Sequence, residues 1–98
     1  MKVEYTKRAL SDIRQIAAES RAAFGNRVAA ALETRIRAVV HQISLHPLSA
    51  PEVADRPGRH VVPLRRYPFL IFYRVLNDRI RVLHVRHSAR RPWTEAGD

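Results

Sequence analysis

Apolar residues recur along the chain with two different periods, and the change from one to the other divides it. Lys2-Val3-Glu4-Tyr5 alternates polar and apolar, as a short strand does. Thr6 follows as a helix cap in front of Lys7-Arg8-Ala9-Leu10. Leu10, Ile13, Ile16 or Ala17, Ser20 and Phe24 then return at steps of three and four, while Arg14, Gln15 and Glu19 face away, predicting an amphipathic helix from about Lys7 to Ala23. Gly25-Asn26 punctuates the pattern. A second stripe of Val28, Leu32, Ile36, Val39 or Val40, and Ile43 predicts another helix, ended by His46-Pro47. So short a join leaves the two helices as neighbours in an antiparallel hairpin.

Leu48 to Gly58 holds Pro51, Pro57 and Gly58 among small and charged residues and reads as a surface connection. Beyond it the period shortens to two. Arg59 to Arg65, Phe69 to Val75 and Arg79 to Val85 are β-prone, with Tyr67-Pro68 between the first two and a hairpin turn at Leu76-Asn77-Asp78-Arg79 between the others. Phe69 to Val75 is apolar on both faces apart from Arg74, as a central strand would be, whereas Pro63 pushes its stretch toward an edge or a bulge. The expected order is β-α-α-β-β-β. This is an α+β two-layer domain with a helical hairpin packed on a mostly antiparallel sheet. One domain spans 1–98, with 87–98 a tail anchored by Trp93 or ordered by a partner.

Composition narrows the function. There is no cysteine, which removes disulfides, thiolate metal sites and cysteine nucleophiles. Five histidines without paired carboxylates give no ligand spacing for a metal, and no cofactor is expected. Charged residues from Lys2 through Arg14 leave no apolar signal segment, so the cytoplasm is the expected location. Eighteen Lys and Arg against nine Asp and Glu give a net charge of +9, and sixteen of the eighteen are arginine. Codon bias in a G+C-rich genome would enrich arginine too, but its distribution is uneven. Ten lie between Arg56 and Arg91 and six in the first half, pointing to a nucleic acid or an acidic protein as partner. No helix-turn-helix spacing supports DNA reading, and a sheet-based RNA reader would want more exposed aromatics than Phe72.

Several stretches together carry a family resemblance. They are the Val3-Glu4-Tyr5-Thr6 opening with Ala9 and Asp12-Ile13, the Ile43-x-x-x-Pro47 helix end, and Val62-Pro63-Leu64-Arg65-Arg66-Tyr67-Pro68-Phe69-Leu70-Ile71-Phe72-Tyr73-Arg74-Val75. Ile80-Arg81-Val82-Leu83-His84-Val85-Arg86-His87, followed by Arg90-Arg91, completes the set. Over nearly its whole length the chain resembles the ParE/RelE superfamily of type II toxin-antitoxin toxins, closer to the ParE-like branch. The resemblance implies a toxin neutralised by a cognate antitoxin in a hetero-oligomer, the antitoxin presenting an acidic, partly disordered segment. ParE-like toxins poison DNA gyrase by protein contact; RelE-like toxins cleave mRNA in the ribosome.

The two branches ask different things of the same residues. Metal-independent RNA cleavage needs a base, an acid and a cation around one phosphate. Arg65, Arg86 and His87 are the candidates, with His84 and Arg90 as further ingredients. RelE-like nucleases commonly present a tyrosine near the C-terminal histidine and lysines on the early strands. Here His87-Ser88-Ala89-Arg90-Arg91 has no tyrosine, and no lysine follows Lys7. The reading that results is a gyrase-directed toxin, with the RelE-like endoribonuclease as alternative. Arg65, Arg66, Arg86, Arg90, Arg91 and Trp93 are its candidate target- or antitoxin-binding residues. Simpler roles are expected elsewhere: Tyr67, Phe69, Ile71 and Tyr73 in the core, His84 as a structural histidine on the sheet, His41 and His46 at the surface or capping, and His60 solvated at a strand start.

Overall fold

A computed structural model of the chain describes residues 1–88. The elements are β1 (Lys2–Tyr5), α1 (Lys7–Phe24), α2 (Asn26–Leu45), β2 (Glu52–Val53), β3 (Arg56–Pro63), β4 (Phe69–Val75) and β5 (Arg79–His87). They form one sheet of order β1-β5-β4-β3-β2, in which β1 runs parallel to β5 and every other pair is antiparallel. The two helices lie against one face. No helix among the described residues is long and apolar enough to cross a membrane.

Thr6 starts α1 and ties it to the sheet. Its Oγ1 accepts from the Ala9 N–H at 3.0 Å and its hydroxyl donates to the Leu83 carbonyl at 2.7 Å, while its own N–H donates to the Val82 carbonyl. Gly25 alone joins the helices, with φ +94° and ψ 173°, a region that other residues enter only under strain. The α2 stripe is buried as its spacing implies, through Leu32, Ile36, Val39, Val40 and Ile43. The α1 stripe is only partly so. Ile16 and Ala17 are buried, but Leu10 and Phe24, expected on the core side, are 42% and 71% exposed. Phe24 is the last helical residue, next to the Gly25 break.

The Leu48 to Gly58 connection is not wholly irregular, and the sheet has five strands where four were expected. β2 lies within it, and β3 starts at Arg56. Asp55 turns the chain at φ +64°, and a register shift between Glu52 and Val53 leaves Pro57 and Gly58 outside regular pairing. Glu52 Oε2 accepts the Gly58 N–H, so proline and glycine sit in a strand without orphaned donors. His60 is buried rather than solvated, because the α2–β2 connection folds over it. Its Nδ1 lies 2.8 Å from the Ala50 carbonyl, and its ring stacks on Tyr73 at 5.2 Å.

The core lies between the helices and one sheet face, with Leu64, Ile71, Tyr73, Ile80 and Val82 fully enclosed. Tyr73 anchors the helix end by donating its hydroxyl to the Pro47 carbonyl, and burial pushes its phenol above the ordinary 10.0.

Candidate functional surfaces

A bulge in β5 decides which side chains face solvent and which face the helices. Phe72 pairs with His84, but Tyr73 pairs with Val82, leaving Leu83 as an extra residue. Ile80 and Val82 point to the helices, and without the insertion His84 and Arg86 would too. With it, Val85 and His87 take the inner face and His84 and Arg86 the outer one. The bulge is held from the side by Thr6 and by Asp12, whose Oδ2 accepts the Val85 N–H at 3.1 Å just beyond the end of β1. Sequence reading marked Asp12 only as part of a motif; its work on the strand edge needed the tertiary structure.

Arg65, Arg66, Arg86 and His87 gather at one end of the sheet but do not converge. Arg65 and Arg66 are exposed in the β3–β4 turn, where Arg66 holds φ +76°. Both line a groove of about 700 Å³ with Ala31, Thr34, Arg35, Ala38 and Tyr67 on the α2 side. Arg86 reaches across the outer face, its guanidinium 5.6 Å from the centre of the Phe72 ring. His87 ends β5, where a tail had been expected to begin. It packs edge-on against Phe69 at 5.3 Å and, together with Arg86, lines a recess of about 160 Å³ with α1 residues including Arg8, Asp12 and Gln15; Arg65 and Arg66 are not part of it. Arg90, Arg91 and Trp93 lie outside the described residues.

The outer face has a layered chemistry. Arg59, Arg74 and Arg81 stand in register on three adjacent strands, and Glu4 on β1 completes the row. Glu4 pairs with Arg81 and, at 3.3 Å, with Arg79. The hydrogen bond from Arg81, with the charge of both arginines, holds the Glu4 carboxyl below its ordinary 4.5. One row further, His84 stacks flat on Phe72 at 4.5 Å. Among the described residues no group of His, Asp and Glu could hold a metal ion.

Two further grooves border the helices. One, of about 310 Å³, runs along the hairpin between Tyr5, Leu10, Ile13, Ile36 and Arg37, and explains how Leu10 can be apolar and exposed. The other, of about 420 Å³, continues the Arg65 groove toward Ile43, Val62 and Pro63. Arg35 serves both arginine-bearing grooves. Its Nε is shielded from solvent without a hydrogen-bond partner among the described residues. The signal for it was a second stripe on α2, Ala31, Thr34, Arg35 and Ala38, whose small side chains make a channel instead of a ridge.

The motifs spread over this framework match one known pattern. The family described as ParE toxin of type II toxin-antitoxin system, parDE, matches residues 3–92. The chain belongs to this ParE toxin family. The fold agrees: a chain of the chromosomal ParDE toxin-antitoxin system from P. aeruginosa superposes with a TM-score of 0.78 at 23% identity, covering 89% of this chain and 95% of that one. The isolated E. coli RelE toxin superposes at 0.58 with 18% identity, covering 97% and 88%. A chain of the intact E. coli RelBE complex superposes at 0.56 with 18% identity, covering 92% and 98%. No curated protein matches the sequence. The ParE-family chain and the RelE toxin thus share an α+β architecture, two helices on a five-stranded mixed sheet.

Proposed function

We propose that this ParE-family toxin acts in the cytoplasm by gripping a protein target, DNA gyrase, and that a cognate antitoxin neutralises it. The observation carrying the reading is the separation of Arg65 from Arg86 and His87. Arg65 lines the groove along α2, whereas Arg86 and His87 border the recess beside α1, Arg86 also reaching over the Phe72 ring. A nuclease needs its base, acid and cation within reach of one phosphate. A protein-binding surface has no such requirement, and separated arginines around apolar grooves suit it. The antitoxin has two places to bury apolar area while neutralising arginines. These are the hairpin groove at Leu10, Ile13 and Ile36, and the Arg35–Arg65–Arg66 groove on α2. The ParDE and RelBE names of the structural relatives fit such a partner.

The test runs the purified toxin in two parallel assays, gyrase supercoiling with trapping of cleavage complexes, and translating ribosomes with primer extension on the mRNA. Trapped DNA cleavage complexes without mRNA cuts are expected, abolished by adding the antitoxin and retained in His87→Ala. Codon-positioned mRNA cuts that disappear in His87→Ala would overturn the reading in favour of an endoribonuclease.

A further inference from the structure

The two edges of the sheet are finished differently. On the β2 side the ladder is closed. β2 is two residues long, the Val61 N–H donates to the Pro51 carbonyl at 3.1 Å, and Pro63, the next residue of β3 facing the same way, has no N–H to offer. β1, at the opposite edge, has neither a proline nor a covering strand among the described residues. Thr6 turns its N–H to the Val82 carbonyl on β5. By alternation Lys2 and Glu4 also bond toward β5, and Val3 and Tyr5 turn their N–H and C=O groups outward. Apolar side chains stand around this edge. Val3 is 38% and Met1 48% exposed, and the Met1 nitrogen donates to the Ser44 carbonyl, which sets Met1 beside the end of α2 and its exposed Leu45.

We propose that the β1 edge pairs with the β1 edge of a second copy of this chain, about a two-fold axis through Val3. Such an axis, normal to the sheet, makes the two strands antiparallel and turns the same residues toward each other. Outward-facing residues must meet outward-facing residues, and two registers that satisfy this pair three residues of β1. Centred on Glu4, the pairing sets Glu4 against Glu4, a like-charge contact on the axis. Centred on Val3, it sets Lys2 against Glu4 of the other copy, twice, with Val3 against Val3 and Tyr5 against Met1. The second register alone is complementary in charge and in polarity. It joins the two five-stranded sheets into one, with the helices of both copies on the same side, and covers Val3 and Met1. A four-residue edge is smaller than a permanent interface, so association depends on concentration. The pairing shields an edge that would otherwise recruit other strands. It is independent of which target the toxin poisons.

Sedimentation velocity on the full chain tests the pairing at physiological ionic strength, which screens the repulsion between two chains of net charge +9. The species should shift from one chain's mass to that of two as concentration rises. Lys2→Glu and Glu4→Lys should each abolish the shift by setting like charges opposite one another, with an unchanged far-UV circular dichroism spectrum. Mixing the two variants restores opposite charges at both contacts and should bring back the two-chain species. Val3→Pro removes an outward N–H that the single chain does not use, and should keep the chain folded but single. A chain that stays single at every concentration, a dimer indifferent to all three substitutions, or charge variants that do not associate when mixed would overturn the proposal.

Discussion

The two faces of the sheet are built from the same strands yet follow opposite rules. The inner face is filled by Ile71, Tyr73, Ile80, Val82 and Val85 against Leu32, Ile36 and Ile43. The outer face carries Arg59, Arg74 and Arg81 in a row, with Phe72 and His84 stacked beside them. Strand alternation alone would produce such a division, but here it is reset halfway along β5 by Leu83. A substitution at the exposed Arg74 of the outer face should therefore cost folding little, whereas the inner face and the bulge carry the stability.

The comparison is broken most strongly from the inner side. Ile36 is 2% exposed at the junction of α2 with the sheet. Ile36→Ala should cost about 2–5 kcal/mol in urea unfolding, because the deleted methylenes leave a cavity that the surrounding strands cannot close. A cost below about 1 kcal/mol, the ordinary scale of a surface change, would mean that the inner face is not the main source of stability.

A smaller loss is expected at the switch between the faces. Thr6→Ala removes both the helix cap and the hydroxyl donated to the Leu83 carbonyl, and should cost about 1–2 kcal/mol. Hydrogen exchange should then accelerate at Val85 and His87 more than at Ile71. Uniform acceleration would show that Thr6 supports the helix without holding the bulge.

The mildest effect belongs to the outer face and depends on pH. Glu4 is held below its ordinary 4.5 by Arg81 and Arg79. Its folded state therefore binds fewer protons than its unfolded state. The resulting stability is fully present above the unfolded value and is lost as pH falls through the lower, folded one. Glu4→Gln should flatten the stability profile below pH 4.5 and leave its shape at neutral pH unchanged. A profile as steep as before would remove Glu4 from the acid response. The pair is solvent-exposed, so salt should weaken its effect.

Much of this division was legible in the sequence where local rules suffice. The α2 stripe, the Thr6 cap, the Gly25 break and the central, doubly apolar β4 follow from spacing and residue chemistry. Two local readings failed because burial is decided by neighbours. Leu10 and Phe24 have the right period for the core but stay 42% and 71% exposed, and His60 looks solvated until the 46–51 turn closes over it. β2 escaped notice because two residues between prolines carry no period, and only β3 gives them a ladder.

The arginine-rich second half follows the same line. The sequence by itself determined the α+β order, the helical hairpin, the excess of arginine after Arg56 and the motifs that place the chain among ParE toxins, since all of these are written in residue types and short spacings. The tertiary structure decided the direction each arginine takes. Register across four strands sets the rows, and the extra residue at Leu83 is pinned by Thr6 and Asp12 through contacts between residues more than seventy positions apart. No local pattern encodes them, so the placing of Arg65 on the α2 groove, apart from Arg86 and His87 at the α1 recess, had to wait for the fold.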